Sequence, residues 1–174
     1  MVAILCDIRS SYNVGSIFRT ADAAGFEKIY LCGITPAPVD KFGRANKEIA
    51  KTALGAEKYV EWERVKSATA LIKKLKKEKY EILAIEQAKN SIPYYKMAKR
   101  KSLSANHKIA LMVGNEVKGL PKSILNKADK ILEIPMRGAM VRQAHHPSKT
   151  KLGKESLNVS VAFGIAAFYL SIEV

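Results

Sequence analysis

Three short segments of this 174-residue chain hold side chains that could do chemistry. The first is Asn13-Val14-Gly15-Ser16-Ile17-Phe18-Arg19-Thr20. Its arginine offers a fixed fork of donors that can hold a phosphate or a ribose hydroxyl, and it stays charged at any working pH. The second, Val113-Gly114-Asn115-Glu116-Val117-Lys118-Gly119-Leu120, sets an amide and a carboxylate between glycines that let the backbone approach a ligand closely. The third is divided: Ile134-Pro135-Met136-Arg137-Gly138, then, after an interruption, Lys154-Glu155-Ser156-Leu157-Asn158-Val159-Ser160. Each segment also has a plainer reading. Asn13, Ser156 and Asn158 suit helix caps, Arg19 suits an exposed helix face, and residues 114–120 suit a turn ahead of a proline-started helix. Gly114 and Gly119 do not form a Gly-x-Gly-x-x-Gly pattern, and no Gly-Lys-Ser/Thr loop is present, which argues against nucleoside triphosphate chemistry.

The elements that must position these residues follow from hydrophobic periodicity. Residues 3–8 predict a strand, 10–13 a polar loop, and 14–24 a helix closed by Gly25, with Asn13 near its cap and Arg19 about two turns inside. Residues 28–32 repeat the strand signal, broken by Gly33 through Pro38, and 44–54 predict a helix before Gly55. Residues 59–62 form a weaker strand. Residues 67–79 carry Ala68, Leu71, Ile72 and Leu75 on one face with lysines opposite, and 82–86 read as the next strand. Residues 109–113 predict a strand, 121–127 a short helix, 131–134 a strand and 157–172 a strongly apolar helix. This alternation predicts an α/β fold: a single domain with a mainly parallel sheet and helices on both faces. Residues 139–153 lack periodicity and read as a basic loop.

Composition bounds the partner. The formal net charge is +14, so a polyanion gains from counterion release, and nucleic acid leads over mere solubility as its explanation. No apolar run reaches the roughly 20 residues that cross a bilayer, and no basic stretch precedes an apolar one at the amino terminus, so a cytoplasmic protein is expected. Cys6 and Cys32 both fall in strand-like runs and read as buried thiols. His145 and His146 lack acids or cysteines at ligand spacing and read as loop residues, so no metal is expected.

Taken in order, Asn-x-Gly-x-x-x-Arg-Thr, Val-Gly-Asn-Glu-x-x-Gly-Leu, Ile-Pro-Met-x-Gly and Glu-Ser-Leu-Asn-Val-Ser-Val-Ala closely resemble the motifs of the SpoU/TrmH family of the SPOUT superfamily of RNA methyltransferases. Lys51-Thr52-Ala53-Leu54-Gly55-Ala56-Glu57 falls between the first two, as that pattern requires. The resemblance implies a carboxy-terminal trefoil knot, against the general rule that chains avoid knots. It further implies S-adenosylmethionine as cofactor, a homodimer, and methyl transfer to a ribose 2′-hydroxyl of structured RNA, tRNA ahead of rRNA. By position, Gly114, Ile134, Met136, Ser156 and Leu157 would line the adenosine pocket, and Asn13, Arg19, Glu116 and Asn158 would be the polar catalytic set. A sulfonium methyl is already activated, so the protein must mainly align it with the ribose oxygen. Arg19 is expected to orient the ribose and a backbone phosphate, with the proton acceptor left open.

Arg9, Arg44 and Lys118 lie near the motifs and are candidates for phosphate contact, whereas Lys73, Lys74, Lys76, Lys77 and Lys79 read as a solvated helix face. Many relatives carry an extra amino-terminal RNA-binding segment. This chain starts almost directly at its first strand, so RNA is expected to be held by the catalytic domain, its dimer partner or another protein. The chain departs from the family pattern at residues 139–153, inserted where the third motif normally continues. A surface bulge that leaves the pocket intact is expected. The rival readings are a catalytically silent RNA-binding relative whose insertion impairs the pocket, and a small-molecule α/β enzyme unconnected to RNA.

Overall fold

A computed structural model describes residues 1–97, 107–136 and 156–173. Among the described residues seven strands form one sheet: β1 (Val2–Cys6), β2 (Lys28–Cys32), β3 (Glu61–Val65), β4 (Tyr80–Ile85), β5 (Ile92–Pro93), β6 (Lys108–Val113) and β7 (Lys130–Glu133). Their spatial order is β3-β2-β1-β6-β4-β7-β5, and every pairing is parallel. The chain runs outward from β1 through β2 to β3 and then crosses to the other half of the sheet. Beside β1, β6 therefore marks the place where strand order reverses, and such crevices are where open α/β sheets bind ligands.

The central strands are buried on both faces, which is why they read as continuous apolar runs. Along β1 the side chains alternate: Ala3 and Leu5 join the core on one face, Val2, Ile4 and Cys6 the core on the other. The first face is covered by α1 (Ser11–Ala23), α2 (Lys47–Ala53) and α5 (Val159–Glu173), through Ile17, Phe18, Ile49 and Phe163. The second face is covered by α3 (Ala68–Lys77) and α4 (Lys122–Leu125), through Leu71, Ile72, Leu75 and Ile124. Outer strand β3, Glu-Trp-Glu-Arg-Val, is polar, as suits a sheet edge.

Local chemistry moves several predicted boundaries. Ser10, not Asn13, caps α1, its side chain accepting from the Asn13 N–H, which leaves the Asn13 amide free for other partners. The helix expected over 44–54 begins only at Lys47, because Asn46 caps it and accepts from the Glu48 and Ile49 N–H groups. Arg44 instead lies in a tight turn. Strand β3 starts two residues later than predicted, after a 3-10 turn at Ala56–Lys58. β5, only two residues and one of them proline, escapes any periodicity argument. The loop at 139–153, with His145 and His146, lies outside the described residues, as do Arg137, Gly138, Lys154 and Glu155. Among the described residues no helix is long and apolar enough to cross a membrane, and no group of His, Cys, Asp and Glu could hold a metal ion.

Candidate active site

At the carboxyl ends of β1, β6 and β7 the chain leaves its sheet hydrogen bonds, and the loops there must find other partners for their N–H groups. Glu116 supplies three of these bonds. Its carboxylate accepts from the Arg9 N–H at 2.9 Å, the Ser10 N–H at 3.0 Å and the Asn13 amide at 3.0 Å. Helix α1 has no acidic residue in its own first turn, so Glu116, coming from the loop after β6, places negative charge at that helix's amino end. Burial works to raise the pKa of Glu116. The hydrogen bonds from Arg9, Asn13 and Ser10 outweigh it and hold the carboxyl below its ordinary 4.5. Glu116 is therefore an ionised acceptor at neutral pH.

Asn13 extends this network. While its Nδ2 donates to Glu116, its Oδ1 accepts from the Asn158 amide at 3.1 Å. Asn158 also does the work of a helix cap: its Oδ1 accepts from the Ser160 N–H at 2.8 Å at the head of α5. Three of the four polar residues singled out in the sequence, Asn13, Glu116 and Asn158, thus form one chain of hydrogen bonds across segments more than a hundred residues apart. Arg19 is not part of it. Farther along α1, it is exposed, and its side chain has no hydrogen bond or ion pair among the described residues.

Beside the network lies a cavity of about 320 Å³. Gly114, Ile134, Met136, Ser156 and Leu157, the five residues predicted for a nucleoside pocket, all line it, and Glu116 stands on its wall. The third sequence segment, split by residues 139–153, is therefore brought together on both sides of the split: Met136 and Ser156 face the same space.

The loop after β6 has a shape that glycine makes possible. Asn115 Oδ1 accepts from the Val117 and Lys118 N–H groups at 3.0 Å each, Asn115 and Gly119 pair across the loop, and Gly119 has φ +63°. A Cβ on Gly119 would collide with the Glu86 carboxylate, which instead accepts from the Leu120 N–H at 2.7 Å. A Cβ on Gly114 would strike the Gly119 backbone and Leu120. This is a close-drawn backbone cradle that tolerates no side chain at either glycine.

Sequence reasoning missed two anchors here. Glu86, the first residue after β4, holds Leu120 and lines the cavity. Asp7, just after β1, has φ +55°; its carbonyl accepts from the Asn115 amide at 2.7 Å and its carboxylate from the Ile34 N–H at 3.1 Å. The only available signal was an isolated acid at the end of an apolar run.

A model of the SpoU rRNA Methylase family matches residues 1–142. The chain belongs to this family. The match stops inside the stretch 139–153, where the chain departs from the pattern of its motifs. A protein of Staphylococcus haemolyticus, assigned to the TrmH family of tRNA/rRNA methyltransferases, is 29% identical over 167 residues, which cover 96% of this chain and 56% of the relative. A counterpart in Staphylococcus aureus is 28% identical over the same span. The chain thus spans little more than half the length of these curated relatives. Among solved structures, an AdoMet-bound rRNA methyltransferase from Sinorhizobium meliloti superposes with a TM-score of 0.76 at 26% identity, covering 96% of this chain and 54% of that one. The A. aeolicus TrmH/SpoU tRNA modifying enzyme superposes with a TM-score of 0.74 at 25% identity, covering 99% of this chain and 74% of that one. The fold is accordingly that of the SPOUT methyltransferases.

Proposed function

We propose that this chain binds S-adenosylmethionine in the cavity beside Glu116 and transfers its methyl group to a ribose 2′-hydroxyl of structured RNA, tRNA ahead of rRNA. The observation that carries the reading is the meeting, in one space, of the loop after β6, Met136 and the Ser156–Leu157 pair, bordered by the Asn13–Glu116–Asn158 network.

The residues present suit this ligand. The volume falls within the roughly 300–1,000 Å³ of small-molecule pockets. Ile134, Met136, Leu157 and Val159 offer apolar surface for a purine ring and the carbon chain of the methionyl part, and Ser156 and Glu86 offer polar groups for hydroxyls. When bound, S-adenosylmethionine supplies a methyl group already activated on a sulfonium. The side chains have the remaining tasks. Glu116, its oxygens committed to three donors and its pKa held low, is poorly suited to remove a proton; from the cavity wall it fixes the Asn13 amide as a positioning residue. Arg19, charged and without a partner among the described residues, is the group left to hold the substrate's phosphate and ribose.

We infer a homodimer from α5, whose Val161, Phe168 and Ile172 form an exposed apolar stripe at helical spacing, a surface that association would cover. We read the chain as one cytoplasmic domain in which residues 139–153 are an inserted loop compatible with a working pocket.

Calorimetric titration with S-adenosylmethionine, followed by incubation with methyl-labelled cofactor and total RNA, tests the reading. One site per chain and a mapped 2′-O-methyl nucleotide are expected. Arg19→Ala should slow transfer by about a hundredfold or more with cofactor affinity unchanged, because it removes alignment rather than cofactor contacts. Wild-type turnover in that variant would remove Arg19 from the mechanism, and absence of cofactor binding would leave a silent RNA-binding relative.

A further inference from the structure

Between β2 and α2 the chain makes a tight turn whose tip is Lys41-Phe42-Gly43-Arg44. Val39 and Ala45 pair as an antiparallel bridge below it, and the Asn46 N–H donates to the Pro38 carbonyl at 2.8 Å. Inside the turn, Asp40 acts as a clamp. Its Oδ1 accepts from the Phe42 N–H at 2.8 Å and the Arg44 N–H at 3.0 Å, and its Oδ2 from Arg44 Nε at 2.7 Å. A turn braced this way holds its tip in one shape without help from the core.

What it holds up is unusual for a tip. Phe42 is 69% exposed, and two cations lie against its ring: Lys41 Nζ at 4.9 Å and Arg44 Cζ at 5.1 Å from the centroid. One acid faces two cations, so the tip stays net positive. Asn46, at the foot of the turn, donates to Ser11 Oγ at 3.2 Å, two residues from Asn13. Between them Tyr12, also exposed, has Lys51 Nζ 6.0 Å from its ring, and Thr52 Oγ1 donates to the Tyr12 carbonyl at 2.9 Å. The turn is thus bolted to the first turn of α1, which carries the candidate catalytic asparagine. It stands on the same carboxyl edge of the sheet as the cavity.

We propose that Phe42 is a stacking platform for an unpaired base of the RNA substrate, with Lys41 and Arg44 taking the flanking phosphates. An aromatic face offers sequence-tolerant stacking to any base, and adjacent cations serve the backbone on either side. An RNA gripped there would run along Tyr12 toward Asn13. The inference rests on RNA being the substrate class.

The test measures affinity for bulk tRNA by fluorescence anisotropy across a salt series, alongside thermal melting and methyl transfer. Phe42→Ala should weaken binding by about tenfold, as loss of one base–aromatic stack does, with the salt dependence and melting temperature unchanged. Phe42→Trp should restore binding, and Phe42→Leu, which keeps bulk without a π face, should not. Lys41→Ala should instead lower the salt slope by about one, as loss of one phosphate contact does. Wild-type affinity in Phe42→Ala, or full recovery in Phe42→Leu, overturns the platform. Tight Phe42-dependent binding without methyl transfer would sustain it while removing the catalytic reading, and failure of the wild-type chain to bind tRNA would remove both.

Discussion

At the carboxyl edge of the sheet, acidic side chains are spent on main-chain N–H groups: Glu116 on Arg9 and Ser10, Glu86 on Leu120, Asp7 on Ile34. At the amino edge they meet side chains instead: Glu61 and Glu63 the Lys28 ammonium, Glu81 the Lys130 ammonium and the His107 ring. Two acids do both: Asp129 accepts from Lys76 and from the Ile82 N–H, and Asp40, in the turn after β2, from the Phe42 and Arg44 N–H groups and from Arg44 Nε. The physical difference is one of need. Loops past the strand ends have left the ladder, and an unpartnered N–H near a cavity costs far more than a solvated one. A carboxylate that serves two or three such donors fixes the loop's shape. An ion pair in solvent fixes little, because each partner loses rotamer freedom for a screened attraction.

That contrast is open to attack in three places. The largest effect is expected for Glu116→Ala, which strands the Arg9 and Ser10 N–H groups and frees Asn13. A loss of roughly 2–4 kcal/mol follows from removing hydrogen bonds to a charged acceptor, lowering Tm by about 5–10 °C, with methyl transfer falling alongside. A melting curve matching wild type would show that the loops hold themselves.

Acid provides the second test. The folded-state pKa of Glu116 lies below its ordinary 4.5, so its contribution is fully present above that value, fades below it, and disappears as pH falls through the folded-state pKa. Denaturant unfolding followed from neutral pH downward should therefore show an acid-sensitive limb that Glu116→Gln flattens. An identical limb in both proteins would assign the sensitivity elsewhere.

The smallest effect should come from the other edge. Hydrogen bonds that it donates to Glu61 and then Glu63 hold the Lys28 ammonium well above its usual range, so its pairing is intact at neutral pH and is lost only as pH rises through that raised value. Yet the partner carboxylates are 70% and 45% exposed, and solvent screens them. Lys28→Ala should cost under about 1 kcal/mol in denaturant unfolding. A loss as large as that of Glu116→Ala would erase the distinction between the edges.

Much of this arrangement is legible in the sequence, because periodicity reports burial. The apolar runs of β1, β2 and β6 and the amphipathic pattern of α3 follow from strands buried on both faces and a helix buried on one. Gly114, Ile134, Met136, Ser156 and Leu157 could be singled out through ordered motifs, and the structure gathers them around one cavity. Glu86 and Asp7 could not be, since an acid that serves a distant N–H leaves no periodic trace. Nor could Ser10 be separated from Asn13 as the cap: both are good cap formers, and only the long-range bond from Asn13 to Glu116 decides which is free. The order of strands is set by pairings across the whole chain, for which spacing carries no signal.

Cys6 and Cys32 are direct neighbours across β1 and β2, both free and both buried. A hydrogen bond with Cys32 and burial push the Cys6 thiol well above the usual range, so little reactive thiolate forms. An electrophile can reach either sulfur only when the layer packed over the carboxyl ends of β1 and β2 opens. The pair is thus a built-in clock for opening: the rate at which a thiol reagent labels the native chain reads how often that covering layer lifts, with no probe engineered into the protein.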